Sequence, residues 1–148
     1  MFKKILVPLD GSKRAEAILP HVEELAHRFE AKLVFVQVVE VPRLILGAEE
    51  AQGANMALYQ KELEQSEREG NDYLTALSGT FREKGIDIQF RLLHGPVVEA
   101  IMNAAEATDA DLIALASHGR SGLSQVFYGS VAVGILHRVD RPLLLIRS

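Results

Sequence analysis

Four stretches of this chain are apolar almost without a break: Lys4–Leu9 (KILVPL), Lys32–Val39 (KLVFVQVV), Asp111–Ala116 (DLIALA) and Pro142–Ile146 (PLLLI). A strand with one wet face alternates apolar and polar residues, whereas a strand covered on both faces has no reason to. These runs therefore predict strands inside a parallel sheet sandwiched between helices. A fifth strand, Ile86–Leu93, alternates more than the others and is expected near a sheet edge.

Between the strands the apolar period changes. Ala15, Ile18, Leu19, Val22, Leu25, Ala26 and Phe29 recur at spacings of three and four, one face of a helix with Ser12 as its N-cap. Pro20 lies inside that pattern and predicts a kink or local strain. Pro42 to about Asn55 reads as a loop. Ala57–Lys84 reads as a long helix, with Tyr59, Leu63, Leu74, Leu77 and Phe81 on its apolar side and Gly70 as a weak point. The turn His94-Gly95-Pro96 places proline at or near the start of a short helix marked by Val97, Val98, Ile101, Met102 and Ala105. Ser130–Val139 is the last helix. Strand and helix thus alternate, predicting an open α/β fold with helices on both faces. No repeat, low-complexity tract or linker interrupts it, so residues 1–148 are expected to form one domain.

Composition narrows the function. The formal net charge is −4 and there is no run of basic residues, which argues against a general nucleic-acid partner. No apolar stretch approaches the roughly 20 residues needed to span a bilayer, and the N-terminal residues lack a signal-peptide pattern. There is no cysteine, hence no disulfide framework. A cytoplasmic protein with no membrane partner is expected.

The segment LIALASHGRSGLSQVFYGS, Leu112 to Ser130, then demands an account, because Gly119, Gly122 and Gly129 crowd the passage from strand to helix. In open α/β sheets ligands sit beyond the carboxyl ends of the strands, where strand order reverses. Two segments fall at such ends: Pro8-Leu9-Asp10-Gly11-Ser12 and Ser117–Ser130. Glycines let a backbone approach a ligand closely, and inward N–H groups make an anion nest. Gly129-Ser130 precedes a helix whose orphan N–H groups and dipole attract phosphate, and Arg120 could reach the same anion with a charged fork. The competing reading is a purely structural turn with Ser130 as a cap. Neither G-x-x-x-x-G-K-[ST] nor a G-x-G-x-x-G after the first strand is present, so this is neither a P-loop nor a dinucleotide fingerprint.

Asp10 ends a buried strand. It is placed either to bond a ribose and share a Mg²⁺ on phosphates or to cap the following turn. Ser117 and His118 are adjacent rather than opposed, which makes a poor nucleophile–base pair. His21, His27, His94 and His137 show no metal-ligand spacing, so no metal site is expected. Asp109 and Asp111 lie at the far end of the fourth strand and are expected to be solvated. Glu62, Glu64, Glu67 and Glu69 belong to a helix face turned to water or a partner.

The opening KKILVPLDGS, the segment DADLIALASHGRSGLSQVFYGSVA and the closing RPLLLIR resemble, in style and order, the universal stress protein family. The nucleotide-binding members carry G-x2-G-x9-G-[ST]. Here Ala116 stands at the first position, Gly119 at the second and Gly129-Ser130 at the last pair, with the full spacing. Alanine in place of the first glycine is the one departure.

The resemblance implies a Rossmann-like, five-stranded parallel sheet of order 3-2-1-4-5 and a homodimer formed through the last strand. It implies ATP or AMP as ligand, to which the metal-sharing reading of Asp10 adds a Mg²⁺ on the phosphates. It further implies that Pro8, Leu9 and Asp10 line the nucleotide, that the backbone of Val38 reads the adenine edge, and that Arg120, Ser130 and Val131 contact phosphate beside Ala116, Gly119 and Gly129. The sequence offers a cradle but no base positioned to activate water, so a stress-response sensor or regulator is expected rather than a fast enzyme. The alternatives are a nucleotide-independent dimeric module of the same fold and a slow ATPase.

Overall fold

The computed structural model describes residues 1–39, 52–117 and 129–148. All five apolar runs form strands: β1 Lys4–Pro8, β2 Lys32–Val39, β3 Ile88–His94, β4 Leu112–Ser117 and β5 Leu143–Arg147. They make one parallel sheet of order β3-β2-β1-β4-β5, with the more alternating β3 at an edge. The intervening helices are α1 Leu19–Phe29, α2 Gln52–Glu83, α3 Val97–Thr108 and α4 Ser130–Arg138. The expected α/β architecture is therefore the one observed.

Side-chain alternation along the strands feeds two cores. Ile5, Val7, Leu9, Leu33, Phe35, Ala114 and Ala116 face α1 and α2, joined by Val22, Leu74 and Phe81. Leu6, Val34, Val36, Ile113 and Leu115 face α3 and α4, where Ile101, Ala105 and Ile135 meet them. Both faces of β1, β2 and β4 are covered, which is why those sequences need no polar alternation.

Pro20 does not kink a helix. The pattern that begins at Ala15 divides into a 3-10 turn, Ala15–Ile18, and α1, with Pro20 in the first turn of α1. A missing N–H leaves no bond unmade there. Ser12 is not the N-cap residue: that place falls to Arg14 for the 3-10 turn and to Ile18 for α1, while Ser12 Oγ accepts from Ala15 N at 3.1 Å and steadies the start of the 3-10 turn. The helix α2 begins at Gln52, so the end of the expected loop is helical, while residues 42–51 of that loop lie outside the described residues.

Gly70, the expected weak point, lies within an unbroken α2. It is buried, and a Cβ there would stand 2.8 Å from Leu92 Cδ1 and 3.7 Å from the Gln37 carboxamide. At that turn the α2 backbone comes close to Leu92 of β3 and Gln37 of β2. Asp111, expected to be solvated, is half-buried. Its carboxylate accepts from Lys3 N at 2.8 Å and Lys4 N at 3.1 Å, fastening the start of β1 to the start of β4.

Candidate functional site

β1 leaves the sheet at Asp10. Asp10 Oδ1 accepts from Ser12 N at 2.9 Å, and the residue between them, Gly11, has φ +84°, a conformation that disfavours a side chain. The turn carries the chain sharply away while β2 continues. The last backbone bond between the two is Leu9 N to Val36 O, 2.8 Å. Lys32 N donates to Lys3 O, and Leu33 N donates the other way, to Asp87 O beside β3. Even-numbered residues of β2 therefore aim their backbone groups at β1. Val38 has that parity and lies two residues past the last bond, so its N–H and C=O look beyond the end of β1.

A cleft of about 500 Å³ opens there, lined by Asp10, Gly11, Gln37, Val38, Val39, Ser66, Glu69, Gly70 and Tyr73. That volume is within the range of small-ligand sites, roughly 300–1,000 Å³. Its floor is the end of β2 and its far wall is α2. At the back, Tyr73 Oη donates to Glu16 Oε2 at 2.6 Å. Burial, then the Glu16 carboxylate, push the phenol well above its ordinary range, so Tyr73 is a fixed neutral donor. Elsewhere between the same two elements, His94 Nε2 meets Glu67 Oε1 at 2.9 Å, joining the end of β3 to α2.

Of the residues expected at a site, the structure brings Asp10 and Val38 together in this cleft. Pro8 and Leu9 lie just beneath, at the end of β1. The register Ile5 with Leu112 and Leu6 with Ile113, continued along both strands, sets Leu9 level with Ala116. Ala116 is 8% exposed, and its methyl belongs to the core on the α1 and α2 side. Ser117 is spent on structure: its Oγ donates to Ile146 O at 3.1 Å, and its carbonyl accepts from Ser148 Oγ at 2.9 Å.

Gly129, Ser130 and Val131 begin α4. Because β4 and β5 are parallel, the helix between them starts at the same end of the sheet as the cleft. Among the described residues no side chain caps its first turn. Gly129 has φ −51° and ψ 157°, open to any residue, so its want of a side chain matters there for room rather than for backbone freedom. Gly119 and Arg120 lie outside the described residues, as do His118 and Gly122.

The sequence pointed to none of Gln37, Val39, Ser66, Gly70 or Tyr73 as lining residues. Four of the five have no motif around them, and Gly70 was visible only as a break in helix propensity. Among the described residues no three metal-ligating side chains converge, and no helix is long and apolar enough to cross a membrane.

The family model described as the universal stress protein family matches residues 1–147. A universal stress protein of Methanocaldococcus jannaschii is 30% identical over 149 residues, spanning 100% of this chain and 84% of the relative. Among solved structures, the universal stress protein UspA from Lactobacillus plantarum superposes with a TM-score of 0.80 at 19% identity, covering 99% of this chain and 98% of that one. A family protein from Arabidopsis thaliana, solved with AMP bound, has a TM-score of 0.67 at 15% identity over 98% of this chain and 91% of its own. The two structural likenesses establish the fold. From the match along nearly its full length, the chain belongs to the universal stress protein family.

Proposed function

We propose that this protein binds an adenine nucleotide, ATP or AMP, across the carboxyl ends of β1 and β2, with its phosphates directed to the start of α4. The observation that carries this reading is the backbone of Val38, which faces past the end of β1 into a cleft that also holds Asp10. A backbone N–H beside a C=O matches the N1 acceptor and amino donor of adenine. Asp10 is placed for the ribose hydroxyls, or to share a Mg²⁺ carried in on the phosphates. The first turn of α4, at Gly129, Ser130 and Val131, which no described side chain caps, suits a phosphate. Gly119 and Arg120 complete the proposed set through the family spacing, with Pro8, Leu9 and Ala116 as supporting walls. AMP in the Arabidopsis relative supports the ligand class.

Residues 1–148 act in this reading as one cytoplasmic domain, with nucleotide occupancy as the signal rather than rapid turnover. A homodimer pairs β5 with β5. That strand is an edge, with Leu143, Leu144, Leu145 and Ile146 all half-buried, and a second copy would satisfy its open backbone groups.

Mass spectrometry of gently purified, then denatured protein is expected to release adenine nucleotide, and calorimetric titration with ATP, ADP and AMP to show saturable binding. Absence of both overturns the reading. Leu144→Pro is expected to turn a dimer into a monomer by light scattering, and a monomeric unmodified protein at micromolar concentration removes the dimer.

A further inference from the structure

Asp10, Glu69 and Tyr73 line the cleft, and toward a ligand all three can only accept hydrogen bonds. Asp10 and Glu69 do so as carboxylates. Asp10 Oδ1 takes the Ser12 N–H at 2.9 Å, and Glu69 Oε1 takes Gln65 Nε2 at 3.0 Å, one turn back along α2. Tyr73 joins them because its one proton is committed to Glu16 Oε2 at 2.6 Å. Burial, then Glu16, then the charge of Asp10 hold that proton on the phenol well past its ordinary range, so Asp10 and Tyr73 are neighbours as well as common linings. Donation to a carboxylate also draws charge onto the phenol oxygen and strengthens it as an acceptor. A wall of acceptors calls for a ligand group that donates. In an adenine nucleotide the donors are the amino group and the two ribose hydroxyls. The Val38 carbonyl takes the amino group in the reading above, which leaves the vicinal diol.

We propose that Tyr73 accepts the ribose 2′-hydroxyl while Asp10 accepts the 3′-hydroxyl, so that the cleft selects ribonucleotides over 2′-deoxyribonucleotides. The proposal rests on the nucleotide reading above and adds a specificity-determining residue to it. The allotment follows from sheet order. Val38 stands on β2, Asp10 just past the end of β1, and the start of α4, assigned to the phosphates, lies beyond β4. C2′ adjoins the carbon that carries the base, whereas C3′ is one bond closer to the arm that carries the phosphates. The hydroxyl nearer the base therefore meets α2, which packs on β2 and β3 and supplies Tyr73. The hydroxyl nearer the phosphates meets Asp10. A 2′-deoxyribose would cover the half-buried Tyr73 oxygen and offer it no donor, which is unfavourable.

The test is calorimetric titration of the unmodified protein and of Tyr73→Phe with ATP, 2′-deoxy-ATP, 3′-deoxy-ATP and 2′-fluoro-2′-deoxy-ATP. Phenylalanine keeps the ring and removes only the oxygen. The unmodified protein is expected to bind 2′-deoxy-ATP about 10-fold more weakly than ATP, and Tyr73→Phe to bind the two within about twofold. The penalty for 3′-deoxy-ATP, which falls to Asp10, is expected to persist in the variant. That persistence separates a lost contact from a loosened cleft, which would weaken every ligand alike. Fluorine cannot donate, so the 2′-fluoro nucleotide is expected to bind no better than the 2′-deoxy one. Tighter binding of the fluoro compound would mean that the protein donates at this position, and overturns the assignment. Unmodified protein that binds 2′-deoxy-ATP as tightly as ATP overturns it without any variant. An equal 2′ penalty in both proteins, or an equal loss of all four ligands in the variant, overturns it too, and in each of these cases nucleotide binding stands. If the unmodified protein binds neither ATP nor AMP, the nucleotide reading falls and takes this proposal with it.

Discussion

Tyr73 Oη donates to Glu16 Oε2 at 2.6 Å, joining the middle of α2 to the 3-10 turn that follows β1. The bond closes the back of the cleft and ties the wall supplied by α2 to the 3-10 turn that comes just after the Asp10–Ser12 turn. Tyr73→Phe is expected to lower stability by about 1–2 kcal/mol in urea titration, as for a part-buried bond to a charged group.

The same bond has a pH signature. Burial and Glu16 raise the folded-state phenol above its ordinary value near 10. The folded chain therefore holds this proton where the unfolded chain releases it. Its contribution is fully present below about pH 10 and falls as pH rises beyond that. Unfolding titrations above pH 10 are expected to show a decline with pH that is shallower in Tyr73→Phe. Identical slopes would mean the bond is absent in solution.

Two helical glycines are expected to respond differently to alanine. At Gly70 the new methyl meets Leu92 Cδ1, the movable tip of a side chain. The gain in helix propensity, about 1 kcal/mol, should offset the crowding and leave stability nearly unchanged. At Gly134 it would stand 2.6 Å from Val98 Cγ2 and 3.4 Å from Cγ1, and a β-branched side chain cannot swing aside. Gly134→Ala is expected to cost about 1–3 kcal/mol by overpacking the α3–α4 contact. Thermal unfolding of the pair checks the ordering.

Asp111 holds the first residues of β1 by two charge-assisted bonds. Asp111→Ala is expected to cost about 2–3 kcal/mol and to speed hydrogen exchange at the Lys3 and Lys4 amides before exchange rises elsewhere in β1. Uniform acceleration along the strand would count against a local fastening.

Ala116 and Gly129 separate two meanings of small residues in one motif. The Ala116 methyl is inside the core, so Ala116→Gly is expected to lower stability by about 0.5–1 kcal/mol and to leave nucleotide affinity within about twofold. Gly129 has a backbone that valine can adopt. Gly129→Val should therefore keep the fold by circular dichroism and lose nucleotide binding through crowding of the phosphates. Tight ATP binding by Gly129→Val would remove the phosphate role of this turn.

The sequence by itself determined the strands, because burial on both faces writes itself into every residue of runs such as KILVPL and KLVFVQVV. It also marked Asp10-Gly11 as a strand end and Gly129-Ser130 as a helix start, since turns and caps are local chemistry. The helical period located α1 and most of α2, but left the reason for Pro20 and Gly70 unread. Pro20 depends on where the helix begins, and Gly70 on how near β2 and β3 come. Tertiary structure alone decided that Asp111 fastens Lys3 and Lys4, that Tyr73 meets Glu16, and that Gln37 lines the cleft. Each of these joins segments distant in the chain, or depends on which face of a strand is covered. Local periodicity records whether a residue is buried, but not which partner lies across the gap.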